Sequence, residues 1–379
     1  MRFIINTTNL QTGGALQVAL SLLGEWNAAD VPHEFHIFLS PQIGALIREE
    51  HFNRRFFFYP FRQNPGNSVW LALNYWRKLR ALEAQIRPDA VLTVFGPALW
   101  TPRAAHLAGF ANGYYLFDRS EFIRQKVLTN LLSRIRYYTR RAMLFRQLRK
   151  EAGHFWVETT SAREALARTI RKDKRRIHVI GNTYSGSFRN KSAIAAEHNE
   201  RFTFLYLSAY YTHKNFEIIP EVIALLAERG TCCTFILTLP ADIFDNLSAA
   251  VTHKEYIMNH GPVNPQESYN LYAQCDAVLM PSLLETFSAN FPEAMVSQKP
   301  ILSSDRGFAR NICADAALYF DPENPASIAD AIGRLTASPE LQESLIRNGN
   351  KQLALLETPA SRAGKIISAL EHISKPKNR

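Results

Sequence analysis

The stretch Ala277–Phe320, AVLMPSLLETFSANFPEAMVSQKPILSSDRGFARNICADAALYF, decides the fold class of this chain. It opens on an apolar run of strand length, Ala277–Met280, and crosses a polar loop into the helical stretch Glu293–Val296. Two more strand-length runs follow, Pro300–Ser303 and Ala317–Phe320. Short apolar runs separated by helical segments are the pattern of βαβ units, and therefore of parallel sheet.

The same alternation extends outward from this stretch. Upstream in the same half lie strand candidates Phe202–Leu207, Thr234–Leu239 and Tyr256–Asn259, with helices over Glu217–Glu228 and Pro265–Ala273 and, downstream, Ser327–Ala337. The first half repeats the rhythm with Arg2–Thr7, Glu34–Ser40, Arg55–Pro60, Ala90–Phe95, His106–Ala111 and His154–Thr159. Helical stretches there include Ala15–Trp26 and Ser68–Ile86. Two such series predict two doubly wound parallel-sheet α/β domains. The join falls in VIGNTYSGS, where Gly, Asn and Ser interrupt the pattern near Ile180–Ser187, and the polar stretch Arg189–Arg201 leads into the second series. The expected division is 1–183 and 184–359, with a last helix near 360–379 packing back on the first domain.

Composition narrows the class further. A chain of 379 residues is too long for one compact core, and 46% apolar with 21% charged residues is a globular profile. No run reaches the ~18 apolar residues of a membrane-spanning helix. The opening MRFIINTTNLQTGG lacks the apolar segment and cleavage site of a secretory signal and reads instead as a first strand; the cytoplasmic location expected here rests on the cysteines, as free thiols of a reducing compartment. Cys232, Cys233, Cys275 and Cys313 fit neither a disulfide framework nor a zinc site and are expected as buried free thiols.

In open α/β sheets ligands bind beyond the carboxyl ends of strands, so the loops after strands are the informative ones. In QTGGALQVALSLL, Gly13 and Gly14 permit a tight turn and close backbone approach before a helix whose first amides are free; a plain turn is the competing reading. In SAYYTHKNFEII, Lys214 stands at a strand–helix turn, where a cation can meet a phosphate; a solvated surface lysine is the bland alternative. HGPVNPQES, containing Val263, opens another helix and suits the edge of a base or an ordinary turn. In PSLLETFSANFPEAM, Glu285 and Glu293 flank Thr286, Phe287, Ser288, Ala289 and Asn290. Asn290 and Glu293 have the spacing of a capping box, and Pro292 suits a first helical turn. A functional reading puts a diphosphate at that helix start, with a carboxylate at each end of the loop gripping hydroxyls.

With these residues in place, the stretch from Ala277 to Phe320 resembles the donor-binding core of retaining GT-B glycosyltransferases of family 4, whose mark is two glutamates separated by seven residues. Glu285, Glu293, Pro300 and Asp305 occupy those places, and Lys214–Asn215 and FWVETTSAREAL…RRIHVIGN also look like that family. The resemblance covers most of the chain, by motif from about Phe155 onward and by layout before it. It implies two Rossmann-like domains facing each other across a cleft, the first binding the acceptor and the second the nucleotide-sugar. It implies Glu293 on the ribose hydroxyls, Lys214 on the donor diphosphate, Glu285 on the transferred sugar and Gly14 near the phosphates. Transfer with retention follows from the same resemblance, while no metal or other cofactor is expected because no Asp-x-Asp motif stands at a strand end. GDP-mannose is favoured over UDP- and dTDP-sugars by analogy, for a lipid-linked acceptor in bacterial O-antigen or capsule assembly. The competing expectations are a soluble acceptor, or a non-enzymatic sugar- or nucleotide-binding scaffold of the same fold.

The net charge of +10 is concentrated in one place. Between Arg119 and Lys150 ten Lys/Arg face the single acid Glu121. EFIRQKVLTNLLSRIRYYTRRAMLFRQLRK interleaves these with apolar residues as a basic amphipathic helix pair. Such a segment suits an anionic membrane surface, and Arg134, Arg136, Arg140 and Arg141 are the expected contacts. An ordinary solvated helix face is the alternative; nucleic acid is not expected, because no recognised motif accompanies the patch. The enzyme is thus expected at the cytoplasmic face of the inner membrane.

Overall fold

The computed structural model describes residues 1–11, 13–61, 69–188, 201–264 and 267–375. The expected helix start at Ser68, most of the linker 189–201, the helix start at Pro265 and the tail beyond residue 375 lie outside them. The chain forms two compact units, Met1–Asn182 with the C-terminal residues from Thr358, and Thr183–Glu357.

In the first unit the elements run β1 (Arg2–Asn6), α1 (Gly14–Ala28), β2 (Glu34–Leu39), α2 (Pro41–Leu46), β3 (Phe56–Pro60), α3 (Val69–Ile86) and β4 (Ala90–Thr93). They continue with β5 (Ala105–Gly109), α4 (Gly113–Leu116), α5 (Leu131–Glu151), β6 (His154–Val157), α6 (Thr160–Ile170) and β7 (Ile177–Val179). All seven strands are parallel, in the order β3-β2-β1-β4-β5-β6-β7. Successive residues of β1 point to opposite faces. Phe3 and Ile5 join one core cluster with Leu22 and Trp26 of α1, and Ile4 joins another with Tyr75 and Leu79 of α3. A parallel sheet covered on both faces explains why its strands read as unbroken apolar runs.

The second unit holds β8 (Phe202–Tyr206), α7 (Ile219–Glu228), β9 (Cys233–Leu237), α8 (Ala241–Ser248), β10 (Ile257–Asn259), α9 (Ser268–Ala273) and β11 (Ala277–Met280). Then come α10 (Asn290–Val296), β12 (Ile301–Ser304), α11 (Gly307–Cys313), β13 (Ala317–Phe320), α12 (Pro325–Thr336) and α13 (Pro339–Leu353). Its six strands are parallel in the order β10-β9-β8-β11-β12-β13. In each sheet the winding reverses beside the first strand, between β1 and β4 and between β8 and β11. That reversal opens a crevice at the carboxyl ends of those strands.

The last helix, α14 (Pro359–Ser374), packs in the first unit. Trp26 Nε1 donates to the Ala363 carbonyl at 3.1 Å. The buried Arg362 guanidinium donates to Asn182 Oδ1 and, at 2.7 Å, to Ser21 Oγ.

Several elements depart from the sequence reading. β7 and α13 were not anticipated: β7 is only three residues long, and α13 buries little beyond Leu345 and Gly349. The segment Glu121–Lys150 is not a helix pair. A single π-turn, Ile123–Val127, precedes one long helix, α5, whose start is set by a capping box between Asn130 and Ser133. Cys232 is exposed while Cys233 is buried, because β9 begins at Cys233 and Cys232 stays outside the ladder.

Candidate functional site

Two loops meet at the switch point of the second sheet. Beyond β8 the chain passes Leu207–Tyr211 into a single 3-10 turn, Thr212–Lys214; beyond β11 it passes Pro281–Ala289 into α10. Leu283 N donates to the His213 carbonyl at 2.7 Å and ties the loops together. Across that tie Lys214 Nζ lies 2.5 Å from Glu285 Oε1, with the two side chains only 14% and 10% exposed. Removing both charges from water is costly, and the pair persists because each supplies the other's counter-charge. An anion entering here meets a lysine already poised and mostly desolvated.

The turn carrying Lys214 is held on both sides. The buried Tyr206 hydroxyl donates to the Lys214 carbonyl. Asn215 takes the left-handed conformation (φ 61°), which Asn tolerates better than most residues, and its Nδ2 donates to the Pro322 carbonyl at 2.7 Å. Asn215 thus fastens the turn to the loop after β13. His213 sits among Tyr211, Lys214 and Glu285. Burial pushes its imidazole below the ordinary value, Glu285 opposes that shift, and Lys214 adds to it.

Glu293 is 1% exposed, on the inner side of α10, and its Oε2 accepts from the Tyr272 hydroxyl at 3.0 Å. The expected capping box is overturned. Ala289 is the N-cap residue and caps nothing with its side chain, while Asn290 Nδ2 turns back to the Leu207 carbonyl at 2.5 Å. Asn290 therefore holds the start of α10 against the end of β8. Thr286 and Ser288 are buried, and Phe287 and Val263 pack half-buried against the cluster that contains Met280 and Phe291. The turn before Val263 requires a glycine, Gly261 having φ 82°. Tyr206, Tyr272 and His213 were not singled out in the sequence. Only the strand order shows that Lys214 and Glu285, 71 positions apart, are neighbours.

In the first unit Gly13 has φ 72° and precedes α1, so it needs to be glycine; around Gly14 there is open space. Asn6, Thr8 and Asn9 organise the end of β1. Asn6 Nδ2 donates to the Ala98 carbonyl at 3.2 Å, and Asn9 Nδ2 to those of Phe95 and Pro97 at 2.5 and 3.0 Å.

Of the four arginines singled out on α5, Arg134, Arg136 and Arg140 are exposed, but Arg141 turns inward. Its Nε donates to the Tyr115 carbonyl at 2.8 Å, and its Nη2 donates to Thr169 Oγ1 at 3.1 Å and lies 3.4 Å from Asp118. The guanidinium also covers the Phe145 ring. Arg141 is a packing residue, and the expected surface contact is corrected to the other three. Among the described residues no helix is long and apolar enough to cross a membrane.

Comparison with known proteins places this geometry. Residues 187–352, most of the second unit, match the family described as Glycosyl transferases group 1. An alpha-D-kanosaminyltransferase of Streptomyces kanamyceticus is 23% identical over 203 residues, covering 50% of this chain and 53% of that protein. An O-antigen chain mannosyltransferase of Salmonella typhimurium is 24% identical over 194 residues, with the same shares covered. The chain spans about half the length of these curated relatives. Among solved structures, a glycosyltransferase of Rickettsia africae superposes with TM-score 0.71 at 14% identity over 100% of this chain and 99% of its own. An Anabaena protein in complex with UDP and glucose gives 0.68 at 14% identity, over 98% and 100%. The likeness over the whole chain shows the fold: two doubly wound parallel-sheet α/β domains of the GT-B type.

Proposed function

We propose that this chain is a retaining glycosyltransferase of the family 4 type, moving a hexose from a nucleotide-sugar to a lipid-linked saccharide. The observation that carries the reading is the Lys214–Glu285 pair at the second sheet's switch point, with the buried Glu293 eight residues beyond Glu285. Breaking the anomeric bond leaves a diphosphate and an oxocarbenium-like carbon. Lys214 stabilises the leaving charge, and its mostly dry setting strengthens that effect while costing no reorganisation in the transition state. Glu285, released from part of its grip on Lys214 when the diphosphate arrives, turns to the sugar hydroxyls. Glu293 takes the ribose hydroxyls. No metal is needed in this scheme, because Lys214 does a cation's work, and the acceptor attacks from the face the diphosphate leaves.

The second unit is the donor domain in this proposal, and the first unit binds the acceptor. The likeness to an O-antigen chain mannosyltransferase supports a surface-polysaccharide acceptor and mannose as the sugar moved; the UDP complex of the Anabaena protein supports a UDP-sugar. A lipid-linked acceptor places the enzyme on the cytoplasmic face of the inner membrane, and the basic face of α5 supports that placement.

Titration calorimetry with UDP, GDP and dTDP, followed by transfer or hydrolysis assays with the matching sugars, tests the reading. Binding of one nucleotide diphosphate is expected. Lys214→Ala should then lower turnover by at least about a hundredfold, the scale of losing one preorganised transition-state contact. Turnover within about threefold of the parent, under 1 kcal/mol, removes Lys214 from the mechanism. No binding of any nucleotide removes the reading altogether.

A further inference from the structure

Helix α5 presents two unlike faces. One packs on its own unit through the buried Tyr137, Phe145 and Leu148; the Tyr137 hydroxyl donates to the Tyr114 carbonyl at 2.7 Å, and Phe145 lies against Phe110. The other carries Leu131 (73% exposed), Leu132 (76%), Ile135 (56%), Met143 (67%) and the half-exposed Tyr138. At ~100° per residue, Leu131, Ile135 and Tyr138 fall within an arc of about 60°, with Leu132 and Met143 beside them; Tyr137 and Leu148 lie opposite, and the buried Phe145, two turns beyond Tyr138, marks the edge where the unit's cover begins. Five of the thirteen large apolar side chains exposed among the described residues lie on this one helix, so the exposure is not scattered. A contiguous apolar patch with a polar rim marks a contact surface.

The rim identifies the partner. Arg134, Arg136 and Arg140 are exposed around the patch, Arg146, Arg149 and Lys150 follow, and no acidic residue occurs from Leu131 to Lys150. A second copy of this face would bring like charges together. An anionic bilayer offers acyl chains to the leucines and phosphates to the guanidiniums.

We propose that α5 docks by insertion: Leu131, Leu132, Ile135 and Met143 enter the acyl boundary of an anionic bilayer while Arg134, Arg136 and Arg140 hold its headgroup phosphates. The proposal rests on the membrane placement above and goes beyond it, since attraction of charge alone requires no apolar side chain. It also leaves Arg141 with no part in docking. The two modes differ in their response to salt. Screening shortens the electrostatic reach from ~10 Å at 0.1 M to ~3 Å at 1 M, whereas burial of apolar surface is untouched by screening.

Flotation of the full chain with phosphatidylcholine vesicles, with and without about 30% phosphatidylglycerol, tests this at low and high salt. The parent should float with the anionic vesicles and keep a measurable bound fraction at ~1 M salt. The triple variant Leu131→Ser, Leu132→Ser, Ile135→Ser should partition at least about tenfold more weakly at both salts. The triple variant Arg134→Gln, Arg136→Gln, Arg140→Gln should weaken binding at low salt only. All these side chains are exposed, so both variants should melt with the parent. Equal flotation of the serine variant and the parent overturns insertion, as does complete release of the parent by salt. Self-association without vesicle binding also overturns it and makes the patch an interface between copies. Nucleotide titration on the same samples keeps the readings apart, because failure to bind nucleotide would sink the transferase proposal and leave the vesicle result standing.

Discussion

Glu293 is a carboxylate almost out of reach of water, with the Tyr272 hydroxyl 3.0 Å from one oxygen. The phenol is itself buried; that burial, and next the charge of Glu293, push its ionisation well above the ordinary tyrosine value. Tyr272 therefore stays a donor through the neutral range, and its hydrogen bond orients the Glu293 carboxylate. This separates a structural role from a binding one. Glu293→Gln keeps the shape and an acceptor for Tyr272 but loses the charge. We expect it to weaken nucleotide diphosphate affinity by about tenfold or more, since hydrogen bonds to a charged acceptor are the stronger kind. Tyr272→Phe should cost about 1–2 kcal/mol of stability and leave affinity within about threefold. Calorimetric titration beside denaturant melts reads both quantities. An unchanged affinity in Glu293→Gln would confine Glu293 to holding α10 in place.

At the scale of elements, the end of α5 governs the loop after β4. Glu151 accepts from Ala98 N at 2.7 Å and from Gln147 Nε2 at 2.8 Å, and its carbonyl meets His106 Nδ1 at 2.8 Å. Burial pushes Glu151 up to about 7, against the bonds it accepts, and burial pushes His106 down to about 4. The folded state therefore holds a proton on Glu151 between the ordinary 4.5 and about 7, where the unfolded chain has lost it, and stability falls as pH rises through that window. His106 acts oppositely: the unfolded chain takes a proton between the ordinary 6.5 and about 4, so stability falls as pH drops. Glu151→Gln removes the first effect and keeps the second. Relative to the parent it should be more stable at pH 8 than at pH 5, by about 1–3 kcal/mol in the difference, as read from urea midpoints. A difference independent of pH would show that Glu151 carries no such shift. Much of this layer was legible in the sequence. Ala277–Met280 and Ala317–Phe320 read as strands to the residue, because doubly covered strands are continuous apolar runs with clear punctuation. Ile177–Val179 escaped because three residues, one buried and two half-buried, are too few to carry a period. On α5 the alternation of arginine and apolar residues was visible, but which face the unit covers was not, and so Arg141 was misplaced. Lys214 and Glu285 each read as loop residues after strands; their meeting depends on β8 lying beside β11, a fact of strand order rather than of local pattern.

Over the whole molecule, each unit buries its own core, and the chain passes from one to the other at Asn182–Thr183 and back at Glu357–Thr358. The return is sealed by α14, whose Ala363, Ile366, Ile367 and Leu370 join the cluster of Leu23 and Trp26. Arg362 is 1% exposed at that seam, with its guanidinium on Asn182 and Ser21. Truncating it takes the guanidinium away from the buried Asn182 and the half-buried Ser21 and removes a filled volume, a combination that costs on the order of 2–4 kcal/mol. Because the cost falls inside the first unit, Arg362→Ala should lower one calorimetric transition and leave a second in place. A nucleotide diphosphate bound to the second unit should raise the other transition, by about 2.7 kcal/mol at a hundredfold excess over its Kd. Adding nucleotide to Arg362→Ala should therefore raise the second unit's transition and leave the first unit's at its lowered position. One transition that moves as a whole under both changes would mean that the units unfold together, and the seam at Arg362 would then stabilise the entire chain rather than the first unit alone.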